Sequence, residues 1–208
     1  YPSLMLLESK ISIAGTSDKC SLQAHCALYR DLKESDMLFG TLKRSCSLAE
    51  SNAAVSFAQV CKWSLAQKIT EHAQEITRTG TLPYNETELC IWEDIWTEAA
   101  QKLQQWDLVT EVSKLDSNTE LNLECIWRLG DWLQPDTISI AEGMLKSLSP
   151  PLTPRTKFFD TFLVLNNIRE SNGPDRQIPR FQTVLEEAVQ GALHSWNLLP
   201  RNVSRSHT

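Results

Sequence analysis

Three times along this chain a tryptophan stands two or three residues after a helical stretch has ended, at the point where the next one begins. "VSFAQVCKWSLAQKITEHA" places Trp63 after a joint at Cys61 and Lys62, "WEDIWTEAAQKLQQWDLVTEV" places Trp106 after Gln104 and Gln105, and "LNLECIWRLGDWLQ" places Trp132 after Gly130 and Asp131. A short joint between two amphipathic helices turns the chain back on itself as an αα-hairpin. The pattern therefore predicts paired helices rather than sheets. It also raises a question of use, because Trp92, Trp96 and Trp106 fall within fifteen residues. They could form a ligand cage, a stacking platform for bases, or packing between paired helices.

Periodicity favours packing. Leu89, Trp92, Trp96, Ala99, Ala100 and Leu103 recur at the spacing of one helix face, with Asp94, Glu98, Gln101 and Lys102 opposite. Asn85 in "YNET" is the expected N-cap, with Glu86 and Glu88 in the first turn, where the helix dipole favours negative charge. Trp106 then opens a second helix, and the two are expected to pair. Successive joint tryptophans are 43 and 26 residues apart, which brackets the period of about 34 residues of tetratricopeptide-type helix pairs. The wider interval holds the breaker-rich loop "RTGTLPYN". The expected fold class is all-α, an irregular tetratricopeptide-like helical-hairpin solenoid.

The flanking segments extend this pattern. "SDKCSLQAHCALYRDLK" reads as a helix capped by Ser17 or Asp18, with Leu22, Cys26 and Tyr29 along it. "SDMLFGTLKRSC" reads as a helix capped by Ser35 or Asp36, with Met37, Leu38, Thr41 and Leu42 on a face. "DTISIAEGMLKSL" ends at "SPPLTP", a soft break near residues 149 to 154 within one helical-repeat region spanning 1 to 208. "TKFFDTFLVLNNIRE" gives a broad apolar face, "SNGPD" a turn, and "RFQTVLEEAVQGALHSW" a closing helix whose seam is Val184, Leu185, Ala188, Ala192 and Trp196.

Composition narrows the functions. Seven glycines in 208 residues favour long helices over a many-turned β protein. A net charge of -6 removes the basic face that nucleic-acid binding requires, and the tryptophans lie beside Glu93, Asp94, Asp107 and Asp131. No direct nucleic-acid partner is expected. No apolar run is long enough for a membrane span. A start at Tyr1 reads as a piece of something longer, and the first stretch lacks the basic start and unbroken apolar run of a signal peptide. Cys20, Cys26, Cys46, Cys61, Cys90 and Cys125 are scattered through helical patterns and read as small buried hydrophobes. No metal or cofactor is expected, since "CSLQAHC" has no second ligand pair at zinc spacing. Glu93 and Asp94 are adjacent on a helix, so they do not converge as an acid and base would. No nucleophile elbow, zinc-protease helix, Walker loop or dinucleotide fingerprint occurs. No catalytic residue is expected.

Several motifs in order carry a family resemblance. "IWEDIWTEAAQKLQQWDLVTEV" resembles the pattern LWEDxWxxxxxxLxxWDxLTE of the FAT region of the transformation/transcription domain-associated protein family. "LECIWRLGDW", "LYRDLKESDMLFG", "GTLPYNETE" and "SWNLLP" are similar to family segments in the same order. The likeness covers residues 26 to 208. Two places depart from it. "LFGTLKRSC" stands where the family has an aromatic-rich turn, and Ile69, Thr70 and Glu71 stand where it has a Tyr-Glu pair. The resemblance implies a helical solenoid wrapping a kinase-like domain that has lost its catalytic residues. Such pseudokinase scaffolds belong to SAGA-type histone acetyltransferase complexes in the nucleus. The expected partners are complex subunits, transcription activators and the rest of the protein's own chain. Trp63, Trp92, Trp96, Trp106, Trp127 and Trp132 are then structural packing residues. Two other readings stay open: the FAT region of an active phosphatidylinositol-kinase-like protein kinase, and a free-standing peptide-binding helical-repeat protein.

Overall fold

The structure, a computed structural model, describes residue 9 and residues 19–32, 34–80, 83–150, 152–170 and 178–198. The described residues form ten helices and no strand: α1 (Lys19–Asp31), α2 (Ser35–Ser45), α3 (Ala49–Gln59), α4 (Trp63–Arg78), α5 (Glu86–Lys102), α6 (Trp106–Leu115), α7 (Thr119–Leu129), α8 (Pro135–Ser147), α9 (Pro154–Glu170) and α10 (Ile178–Leu198). The all-α, solenoid-like class is the one the helical periodicity predicts.

The chain divides into two compact units, residues 1–105 and 106–208. In the first, α1 packs on α2, α2 on α3, α3 on α4 and α4 on α5, and α5 also reaches back to α3 and α2. The core is built from Cys26, Tyr29, Leu38, Phe39, Leu42, Ala54, Val55, Ala58, Ala66, Ile91 and Ile95. Buried alanines and larger side chains together fill this core. In the second unit each helix from α6 to α10 packs on its neighbour in sequence. Leu123, Ile138, Ala141, Phe159 and Leu163 form its core, with Trp127, Trp132 and Phe162 packed against it.

Three tight corners are made without glycine. Cys61, Gln104 and Ser117 adopt positive φ, at 57°, 61° and 52°. Each is followed by the same pair of backbone bonds. Cys61 N donates to Ala58 O and Lys62 N to Phe57 O; Gln104 N donates to Gln101 O and Gln105 N to Ala100 O; Ser117 N donates to Lys114 O and Asn118 N to Ser113 O. This is the Schellman arrangement, which satisfies the last carbonyls of one helix and frees the next residue but one to start another. Trp63, Trp106 and Thr119 are those starts. The left-handed conformation costs an ordinary L residue roughly 1–2 kcal/mol, and the added chain entropy of glycine offsets about half of that. Gln104→Gly is therefore expected to raise stability by about 0.5–1 kcal/mol, read as a higher urea midpoint. An unchanged or lower midpoint would contradict it.

The structure corrects several expectations. Trp132 does not open a helix: it lies in a turn, and α8 begins at Pro135. Asp131 holds that turn by accepting from Leu133 N at 3.1 Å, and a proline is preorganised for the first helical position. The N-cap of α2 is Glu34, without a side-chain cap bond, so Ser35 and Asp36 are already helical. Met37 and Leu103 are exposed, and α5 instead buries Glu88, Ile91, Trp92 and Ile95 with Ala99 and Ala100. Leu185, Ala192 and Trp196 are exposed on α10, where Phe181, Val184, Ala188 and Gly191 are half-buried. α10 packs on α9, and the stripe it half-buries is rotated from the expected one. Within its own unit α6 packs on α7. The proline cluster at 149–154 falls between α8 and α9. Ser17, Asp18, the "SNGPD" turn and the side chain of Leu22 lie outside the described residues.

Candidate functional site

Trp92 is fully buried in the first unit, and its indole N–H needs a partner there. Ser51, on α3, accepts from Trp92 Nε1 at 2.7 Å. The same hydroxyl donates to Glu88 Oε2. Glu88 is itself buried, at 1% exposure, and its other oxygen accepts from the backbone N–H groups of Ser47 and Leu48. A carboxylate from α5 thus caps the start of α3, where free N–H groups and the helix dipole favour negative charge. Asn85 caps α5 one turn earlier, accepting from Glu88 N at 2.8 Å. Burial, with Glu88 beside it, pushes the Cys46 thiol up to about 12. Burial likewise pushes the Cys26 thiol up to about 11. These thiols are inert at neutral pH, and Cys26, Cys46, Cys61, Cys90 and Cys125 are free.

The other tryptophans of this unit stand at its margins. Trp96 is half-buried and donates to Glu71 Oε1 on α4 at 2.9 Å. Trp63 opens α4 half-buried, with Lys102 Nζ 5.8 Å from its ring centroid. Arg30 of α1 pairs with Asp94 of α5 at 3.1 Å. Asp94 therefore ties two helices together.

In the second unit Trp127 is the hub. Its ring centroid lies 5.4 Å from Trp132, 5.2 Å from Phe158, 5.6 Å from Phe159 and 4.8 Å from Phe162, the last edge-on at 88°. Trp132 Nε1 donates to Trp127 O at 3.5 Å. The cluster joins α7, the turn before α8, and α9. Arg155 covers it: its guanidinium lies 4.7 Å from the Phe159 centroid and grips Glu124 with two bonds of 2.8 and 2.9 Å. Arg128 also binds Glu124, at 3.0 Å, and lies 5.1 Å from the Trp106 ring. Trp106 is 8% exposed and begins α6.

Burial raises the Glu124 carboxyl, but hydrogen bonds from Arg155 and then Arg128 outweigh it and hold the group below the usual carboxylate range. Its folded value thus lies below its unfolded one of about 4.3. The stabilisation is complete above the unfolded value and is lost as pH falls through the folded one. Glu124→Gln is expected to lower stability at pH 7 and to converge on the parent protein near pH 2. Urea melts across that range test it, and a gap that stays constant with pH would refute it.

A small apolar cleft opens between α6, α7 and α8. It has a volume of about 200 Å³ and is lined by Thr110, Cys125, Ile126, Leu129, Gly130, Thr137 and Ile140. Gly130 is needed at its floor, since a Cβ there would stand 2.5 Å from Ile126 O.

Among the described residues no cluster of histidine, cysteine and carboxylate side chains could hold a metal ion, and no helix is long and apolar enough to cross a membrane. The side-chain networks described above join helices to one another.

No protein-family profile matches the chain. It is 41% identical over 180 residues, 86% of its length, to the SAGA complex/NuA4 acetyltransferase complex subunit Tra1 of Schizosaccharomyces pombe. It is 36% identical over 211 residues, covering all of it, to the subunit of the same name from Saccharomyces cerevisiae. Against the transformation/transcription domain-associated protein of Homo sapiens it is 27% identical over 197 residues, 90% of its length. The chain spans only 5%, 6% and 5% of these relatives.

Proposed function

Since the chain belongs to the Tra1 and transformation/transcription domain-associated protein family, we propose that it is a non-catalytic scaffold segment of a large nuclear transcription coactivator. It is a stretch of that protein's FAT-type helical-repeat region, with residues 1 to 208 as one part of it. The parent is a pseudokinase that holds subunits of a histone acetyltransferase complex and receives transcription activators. Acetyl transfer belongs to a partner subunit.

One observation carries this reading: 41% identity over 86% of the chain to a subunit named for both SAGA and NuA4. The architecture supports it. Helices that each pack mainly on their sequence neighbours offer extended surface for assembly rather than an enclosed reaction site. The six tryptophans serve this architecture as packing residues. Trp63, Trp92, Trp96, Trp106, Trp127 and Trp132 join helices or close their ends. The segment's partners are proteins, including the rest of its own chain, and neither nucleic acid nor membrane is a direct one.

The test is made on the native parent. Immunoprecipitation from nuclear extract with an antibody to this segment is expected to recover histone acetyltransferase activity without intrinsic kinase activity. Kinase activity that disappears when the parent's own catalytic domain is mutated would instead identify an active kinase. Recovery of neither activity would leave a bare repeat protein.

A further inference from the structure

We propose that the cleft between α6, α7 and α8 is a docking site for a basic amphipathic segment of a partner protein, which seats one large apolar side chain in it. A cavity of about 150 Å³ holds a benzene ring, so the cleft at about 200 Å³ admits one aromatic or branched aliphatic side chain. Its walls are largely apolar, and two of them reach solvent: Leu129 and Ile140 are 49% and 53% exposed. Single exposed apolar residues are ordinary, but Leu129 and Ile140 both line one concavity, the kind of apolar grouping that marks interaction sites.

The charge around the cleft selects the partner. Asp107 lies one turn before Thr110, Asp131 follows Gly130, and Asp136 lies one turn before Ile140, all exposed. None of the three forms an ion pair among the described residues. The nearby cations are engaged elsewhere. Lys114 binds Glu111 at 3.2 Å, and Arg128 is turned onto Glu124 and Trp106. The cleft therefore has three exposed carboxylates within four residues of its lining. It attracts lysine or arginine flanking an apolar anchor and repels an acidic segment, a complementarity that acts on encounter rate and selectivity. This goes beyond the scaffold reading and stands on the cleft's own residues, so it survives or fails independently of the parent's role.

The test titrates the 208-residue chain with a fluorescein-labelled helical peptide of about four turns, carrying leucines on one face and lysines on the rest. A twin with glutamate for each lysine is the control. The basic peptide is expected to bind at least about tenfold more tightly than the acidic one, with an advantage that shrinks as salt rises. Leu129→Ser with Ile140→Ser is expected to weaken binding about tenfold while the circular dichroism stays unchanged, because both side chains are half exposed. Asp107→Asn with Asp136→Asn is expected to remove most of the preference for the basic twin without touching the apolar walls. Equal binding of the twins, or no detectable binding of either, overturns the proposal. So does a Kd that ignores Leu129 and Ile140, which would mean diffuse attraction to an acidic chain.

Discussion

Trp92→Ala is expected to lower the unfolding free energy of the helices around it by about 3–5 kcal/mol, the range for removing a large ring from a packed core. The side chain is fully buried, and its neighbours cannot collapse into the space without disturbing a polar network. Ser51 Oγ would lose the donor it now has at 2.7 Å, while still holding Glu88. Trp92→Phe separates the two effects. It keeps most of the packing and removes the N–H, so its cost is about 1–2 kcal/mol, that of one buried hydrogen-bond partner left short. Denaturant melts give the totals. Amide exchange gives the place: in a repeat array stability is a sum of local terms, so protection should fall first in α3, α4 and α5. A Trp92→Ala loss below about 1 kcal/mol would mean that the ring is not packed as described.

This network also marks where sequence reading stopped. Asn85 was legible as a cap because its role is local: it bonds a residue three positions on. Glu88 was legible only as a first-turn charge suited to the helix dipole. Its burial depends on Ser47, Leu48 and Ser51, about forty residues earlier, and no spacing within α5 reports them. Periodicity shows that a helix has an apolar face but fixes its direction only loosely. On α5 the stripe through Trp96 and Leu103 and the stripe through Ile91 and Ile95 both satisfy the helical period. Two flanking helices select the second, and Trp96 is left at the edge bonding Glu71. The unexpected exposure of Trp196 on α10 has the same origin.

The corners give the opposite lesson. Cys61, Gln104 and Ser117 carry no turn signal of their own, because the left-handed position is filled without glycine or asparagine. Two of these corners were nonetheless legible through the tryptophan that opens the next helix. That cue misled at Trp132, where the local chemistry of Asp131 and Pro135 decides the start of α8. The third Schellman corner, at Ser117, opens with Thr119 and so offered no aromatic marker at all. The cleft was invisible for a further reason: it is made by three helices, and the carboxylates near its lining are scattered between positions 107 and 136.

In the second unit Trp127→Ala is expected to cost about 2–3 kcal/mol, less than Trp92→Ala because the ring is only half-buried. The loss has two sources. Burial of the indole face is one. The other is geometry, since four aromatic rings lie within 5.6 Å of its centroid, and such pairs add about 0.5–1.5 kcal/mol each beyond area when well oriented. Those terms do not simply sum, because the remaining rings can close on one another: Trp132 and Phe162 are already 5.0 Å apart. Arg155→Ala provides the contrast. Arg155 stacks on the same cluster and binds Glu124, but it is exposed, and solvent-facing cation–π and ion-pair contacts contribute about 1 kcal/mol or less. The expected order is therefore Trp127→Ala well above Arg155→Ala, with the Arg155→Ala loss alone shrinking in high salt. An Arg155→Ala loss equal to that of Trp127→Ala, and insensitive to salt, would shift the centre of this unit's stability from its aromatic packing to the arginine that covers it.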